Sequence, residues 1–205
     1  MSLVAQVVVA HKGAREHFLA ARALHRKGML AELVTDWYSP FSSAAATRLG
    51  RWSPGLVRAL GACSDELPRD RVRALHGFGL HSRWHLRRAE RAGRLLPAMA
   101  RDDERFARRV AGLRLPAQEA FLGFSYAALE ALQAEQARGK LTLVDQIDPG
   151  RVEWDLVREE TLRWPAYAEP MGEAPAGYYE RARLEWSVAD VTLVNSEWSR
   201  RALLQ

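Results

Sequence analysis

The segment VDQIDPG holds two carboxylates, Asp145 and Asp148, three residues apart, with the amide Gln146 beside the first. Such a group can accept hydrogen bonds from a polyol. If burial raised the pKa of either acid, that acid could also work as a general base. The plainer reading is that Asp148 only orders the Asp148-Pro149-Gly150 turn. His11, in the run His11-Lys12-Gly13, is a further candidate base or sugar ligand, against the alternative of an ordinary hydrogen-bonded loop histidine. Ser125-Tyr126 and Asn195-Ser196 are two more polar pairs that follow apolar runs. The carboxylates are not an Asp-x-Asp pair of the kind that chelates a metal-diphosphate, and the histidines lack metal-ligand spacing, so no metal is expected. No G-x-G-x-x-G follows the first apolar run and no Walker sequence is present. GFGLHS, from Gly77, has a serine where the third glycine would be.

These residues need elements to position them, and the apolar pattern supplies the elements. Leu3 to Ala10 is a near-continuous apolar run, as in a parallel strand covered on both faces. Ala14 to Lys27 carries Phe18, Leu19, Ala21 and Leu24 at helical spacing, and Gly28 follows as a cap. Leu30 to Thr35 is a second strand, which completes a β-α-β unit. Asp36 to Gly55 reads as a long loop, and Arg71 to Leu75 as a third strand. His81 to Leu113 predicts one or two amphipathic helices broken at Pro97. Strand and helix then alternate: EAFLGFS, Ala127 to Arg138, LTLVDQ, Arg151 to Trp164, YYERARLEWSVA, and a last strand before the helix that opens at Glu197. About six strands alternating with helices predict an α/β domain with a doubly wound, mainly parallel, Rossmann-like sheet. In such a sheet ligands bind at the carboxyl ends of the strands, where all four polar groups fall.

Composition bounds the function classes. The chain has 205 residues, 48% of them hydrophobic and 27% charged, which is a globular balance. Cys63 stands alone, so no intrachain disulfide can form and a reducing compartment is expected; a buried bystander is the favoured reading of its thiol. SLVAQVVVA is too short to span a bilayer and lacks signal-peptide flanks. The net charge of +5 is carried mostly by arginine. Basic stretches at Arg83 to Arg94 and Arg101 to Arg114 can touch phospholipid head groups or nucleic-acid phosphates. Glu90, Asp102, Asp103 and Glu104 interrupt them, which favours an ordinary solvated face.

The closing ADVTLVNSEWSRRALLQ resembles the strand-elbow-helix that ends the N-terminal domain of GT-B glycosyltransferases, in the large retaining family 4 with its many bacterial members. YYERARLEWSVAD is similar to the helix before that strand, and LTLVDQIDPGRVEWDLVREE to the preceding strand and acceptor-side loop. The likeness extends over residues 1–205, with 36–114 less regular and contributing little. It implies an acceptor-side domain whose donor-binding domain lies beyond these residues, supplied in cis or trans. It further implies a cytoplasmic hexosyltransferase of polysaccharide biosynthesis, peripheral at the inner membrane face. Such an enzyme takes a nucleotide-sugar as co-substrate, a saccharide or glycolipid as acceptor, no cofactor and no nucleic acid, and residues 1–205 alone are inactive. On this resemblance Gly13 and its neighbours Lys12 and His11 approach the donor through backbone N–H groups, while Tyr126, Asp145, Gln146 and Asp148 face acceptor or transferred sugar. Asp145, Asp148 and His11 are the catalytic candidates. Ser196 is expected to cap the last helix, and Trp198, Leu203 and Leu204 to be uncovered. Two rival classes stand beside this one: a non-catalytic or heteromeric subunit, and a basic α/β module for membranes or nucleic acid.

Overall fold

The computed structural model describes residues 4–39, 63–167 and 177–204. In chain order the elements are β1 (Val7–His11), α1 (Leu19–Arg26), β2 (Leu30–Thr35), β3 (Val72–Ala74), α2 (His76–Arg91), α3 (Leu95–Ala111) and β4 (Ala120–Phe124). After these come α4 (Leu129–Ala137), β5 (Leu141–Gln146), α5 (Arg151–Arg163), α6 (Tyr178–Val188), β6 (Val191–Val194) and α7 (Glu197–Leu203). The strands form one six-stranded sheet in the order β3-β2-β1-β4-β5-β6, with every pair parallel. The chain is therefore a doubly wound, Rossmann-like α/β domain.

Period-two alternation explains the two cores. Val7 and Val9 of β1 join Phe18, Ala21, Leu33 and Leu122 on one face. Val8 and Ala10 join Phe106, Val110, Phe121 and Leu132 on the other. Both faces are covered, so β1 reads as an unbroken apolar run. Helix α1 packs into the first cluster; α3, α4 and α6 contribute to the second.

Two boundaries differ from expectation. The stretch after Gly13 does not enter its helix directly. Arg15–His17 is a 3-10 turn, and Glu16, His17 and Phe18 all lie in the left-handed region, at φ of 47, 50 and 63°. Left-handed backbone costs about 1–2 kcal/mol per residue. Burying a Phe side chain offsets part of that, about 1.5–3 kcal/mol, and Phe18 is fully buried against His11 and Tyr38. The break between α2 and α3 falls at Gly93, which takes φ +65°, and not at Pro97. Pro97 sits in the first turn of α3, where no intrahelical bond needs its missing N–H. Beyond Ser39, the long loop read from Asp36 to Gly55 lies outside the described residues. Cys63 is buried in the first cluster, where burial raises its thiol pKa. Trp198 and Leu204 are exposed, whereas Leu203 is half-buried.

Gly79 is set by contact. A Cβ there would lie 2.3 Å from the Asp36 carbonyl oxygen. That atom is backbone and cannot swing aside. Gly79→Ala is expected to lose about 1–3 kcal/mol by overpacking, although alanine is the better helix former by about 1 kcal/mol. Gly77, with nothing near its missing Cβ, is the control: urea titrations should show Gly77→Ala neutral or stabilised. Equal effects at both sites would contradict the contact.

Candidate functional site

The strand order reverses direction between β1 and β4, so their carboxyl ends flank the switch point where open α/β sheets bind ligands. A cleft of about 670 Å³ opens there. Its lining includes His11 from β1, Arg15 from the left-handed turn, Asp145 from β5 and Asn195 after β6. A smaller hollow of about 90 Å³ lies beside it, lined by Lys12, Asp103, Ser125, Tyr126 and Tyr178, with Arg15 and Phe124 common to both.

His11 is 1% exposed and lies against Phe18 and Phe124, with ring centroids 5.5 and 4.8 Å away. Burial, reinforced by the Arg15 charge, lowers its pKa to about 4. The imidazole is thus neutral at physiological pH, and its Nδ1 finds no hydrogen-bond partner among the described residues. The Ser125 hydroxyl, at the smaller hollow, is likewise buried and unpartnered among them. Buried polar atoms are nearly always bonded; of the seven buried side-chain atoms without a partner among the described residues, these two lie at the switch point, where a ligand could satisfy them.

Asp145 is half-buried, and burial raises its carboxyl pKa, with Arg15 opposing the shift and Glu16 adding to it. A raised carboxyl in a polar cleft is the property a general base needs. Arg15 is exposed and makes no ion pair with a described residue, so its charge stays available to an anionic ligand.

The other residues singled out from sequence are engaged elsewhere. The Gly13 amide donates to Asp36 Oδ1 at 2.6 Å, and α1 begins only at Leu19, so no free helix N-terminus stands at Gly13. That corrects the expected backbone cradle. Lys12 pairs with both Asp102 and Asp103 of α3, which draws its ammonium away from the cleft. Gln146 is fully buried: Trp186 Nε1 donates to its Oε1 at 2.8 Å, and its own Nε2 donates to Asp148. Its side chain serves the turn and not the cleft. Asp148 Oδ1 accepts from Tyr126 Oη at 2.7 Å, Gly150 N at 2.8 Å and Gln146 Nε2 at 3.0 Å. Asp148 therefore orders the turn and ties it to Tyr126. That phenol stacks on Tyr178 at 4.4 Å, and burial with the Asp148 charge raises its pKa strongly. Ser196 caps α7, its Oγ accepting from Ser199 N at 3.0 Å, as expected. Asn195 Nδ2 donates to the Ile147 carbonyl and joins the last elbow to the exit of β5. Among the described residues, no group of three His, Cys, Asp or Glu side chains could hold a metal.

Glu185 is a functional residue that no local sequence pattern points to. This α6 residue is buried and caps α4 as an internal anion. Its Oε1 accepts from Ala128 N at 2.9 Å and Leu129 N at 3.0 Å, and its Oε2 accepts from Tyr126 N at 2.6 Å. A carboxylate thus fills the helix N-terminus where the switch point could otherwise hold a phosphate. Arg181 braces it by donating to the Tyr126 carbonyl and to Glu130. Burial still pushes the Glu185 pKa up to about 7, against the three amides and Arg181.

These shifts predict how stability follows pH. His11 falls from 6.5 unfolded to about 4 folded, so its contribution is complete above pH 6.5 and is lost as pH drops through 4. The loss is about 3 kcal/mol. Glu185, raised from 4.5 to about 7, acts in the opposite sense: its contribution is present below pH 4.5 and lost as pH rises through 7. Wild type should therefore look nearly flat between those limits. In His11→Phe, urea-derived stability should fall as pH rises across that window. Parallel profiles for the two proteins would contradict a buried neutral His11.

Fold and site together define a class: an all-parallel, doubly wound domain with a polar cleft at its switch point. No family model matches the chain, and no curated protein matches it. Among solved structures it is similar to a protein assigned as a UDP-N-acetylglucosamine 2-epimerase from Listeria monocytogenes, at 10% identity and a TM-score of 0.44. The alignment covers 98% of this chain and 42% of that one, so the chain spans under half of its length. A likeness of that degree carries no argument about function.

Proposed function

We propose that this domain is the acceptor-side half of an enzyme that moves a hexose from a nucleotide-sugar to a saccharide or glycolipid. It would work with a donor-binding domain supplied in cis or trans. The observation that carries the reading is the presence, in the lining of one switch-point cleft, of the half-buried Asp145 and the buried, neutral His11. The resemblance of the closing strand-elbow-helix to GT-B glycosyltransferases supports it independently. A raised-pKa carboxylate accepts a hydrogen bond from an acceptor hydroxyl, or its proton, and a neutral imidazole can donate at one nitrogen and accept at the other. Arg15 offers a permanent cation to the phosphates or the charged transition state. Asp148 and Tyr126 position the loop beside the cleft. A cytoplasmic place at the membrane face suits a glycolipid acceptor.

The test is transfer by the domain combined with its donor-binding partner, across a panel of radiolabelled nucleotide-sugars and polyol acceptors. Incorporation that depends on both halves is the expected result. Hydrolysis or epimerisation of the nucleotide-sugar without any transfer would replace this reading with another nucleotide-sugar chemistry. Failure to bind any nucleotide-sugar or saccharide would remove it.

A further inference from the structure

A hollow of about 350 Å³ opens at the amino ends of β4 and β5, at the opposite end of the strands from the switch-point cleft. Its walls are the turn after α3 (112–116), the last turn of α4 and the residues that lead into the two strands. Three long side chains brace them. Lys140 Nζ donates to the Gln118 carbonyl at 2.6 Å, Arg138 Nη2 to the Ala111 carbonyl at 3.3 Å and Arg73 Nη1 to the Arg114 carbonyl at 3.1 Å. Within the hollow, Gln118 is 4% exposed and Glu135 2% exposed. Gln118 Nε2 donates to Glu135 Oε2 at 2.7 Å. A carboxylate only accepts, so this bond fixes which end of the amide is nitrogen. Gln118 Oε1 is left as a buried acceptor with no partner among the described residues, on the wall of an open hollow. Such atoms are rare. Arg138 pairs with Glu135, so Arg114 and Lys140 are the lining charges left unbalanced. Glu119 accepts from the Gln6 amide and is not part of the lining.

We propose that this hollow is a second ligand site, which takes a small phosphate monoester bearing a free hydroxyl. The lining carries a net charge of +2, and a phosphate monoester carries about −1.5 to −2 at pH 7. Arg114 stands exposed at the rim, where its planar fork can grip phosphate oxygens in pairs. The hydroxyl supplies what the phosphate lacks. A phosphate dianion has no proton to give, so only a donor elsewhere on the ligand meets Gln118 Oε1. The volume is at the small end of the about 300–1,000 Å³ range of ligand clefts, which suits one sugar-sized unit. An uncharged saccharide forgoes both cations, and inorganic phosphate forgoes the buried amide oxygen. The hollow shares no lining residue with the switch-point cleft and stands whether or not the transfer reading does.

The experiment is titration of the isotope-labelled full chain with ribose 5-phosphate, with ribose and inorganic phosphate as controls. Ribose 5-phosphate is expected to give saturable shifts at Arg114 and at the Gln118 side-chain amide. It should bind about tenfold more tightly than inorganic phosphate, the effect of satisfying a buried acceptor. Ribose alone should leave both residues unmoved. Arg114→Gln should weaken ribose 5-phosphate binding about tenfold. Its melting temperature should not change, because the bond that braces the turn is made by the Arg114 carbonyl. Gln118→Leu should bring ribose 5-phosphate down to the affinity of inorganic phosphate, and Arg114→Gln decides the matter should that buried variant fail to fold. Three results would each overturn the proposal: no saturable shift at these residues, equal affinity for ribose 5-phosphate and inorganic phosphate, or Arg114→Gln binding as wild type.

Discussion

Glu185→Leu should destabilise the domain by about 3–6 kcal/mol. The leucine leaves three amides, of Tyr126, Ala128 and Leu129, without an acceptor at a buried helix start. Each buried donor left unmade costs about 1–3 kcal/mol. Domains of this kind have about 5–15 kcal/mol of total stability, so the loss is a large share of it. Glu185→Gln keeps one acceptor oxygen and should fall between wild type and leucine. Chemical denaturation at pH 8, where the carboxylate is ionised, gives the comparison. A loss for Glu185→Leu below about 1 kcal/mol would show that water replaces the cap and that the switch-point helix does not depend on it.

Asp145→Asn should leave the fold intact and reduce sugar transfer by about 10²–10⁴-fold if the carboxylate takes the acceptor proton. The substitution keeps size and removes charge. Asp145 lends its carbonyl to the Ser125 amide, and that backbone bond survives. Asp148→Asn should behave differently. Its Oδ1 collects three donors, so the melting temperature should drop while the folded fraction turns over at close to the normal rate. A fall in kcat for Asp145→Asn would assign proton transfer, and a rise in acceptor KM alone would assign binding. The reverse pattern, with Asp148→Asn inactive and stable, would move the chemistry to the Tyr126 side of the sheet.

The sheet was legible because its central strands are covered on both faces, which compels apolar runs such as Val7 to Ala10 and Leu30 to Thr35. The alternation with helices then fixed the class. Ser196 was legible as well, since capping is local. The site was less so. Arg15 and Glu16 fall inside a pattern that spells helix, and only the burial of Phe18 shows that the backbone turns left-handed there. Asp148 and Gln146 were polar residues at a strand end, but nothing local reveals that Tyr126 and Trp186 would take their hydrogen bonds. Glu185 meets the amide of Tyr126 across 59 positions of chain. A charged residue in an amphipathic helix gives no sign that it faces inward. Local pattern determined the elements, and long-range pairing determined which polar groups remain free.

Ligand is expected to enter at the carboxyl ends of β1, β4, β5 and β6. A rival hollow of about 350 Å³ lies at the opposite edge, lined by residues such as Arg114, Gln118, Arg138 and Lys140. Titrating isotope-labelled protein with an acceptor saccharide and following backbone and side-chain nitrogen shifts distinguishes the two directly. Saturable shifts are expected at Arg15, Glu16, Asp145 and Asn195, with Arg114 and Arg138 unmoved. Shifts confined to Arg114, Gln118 and Arg138 would contradict it.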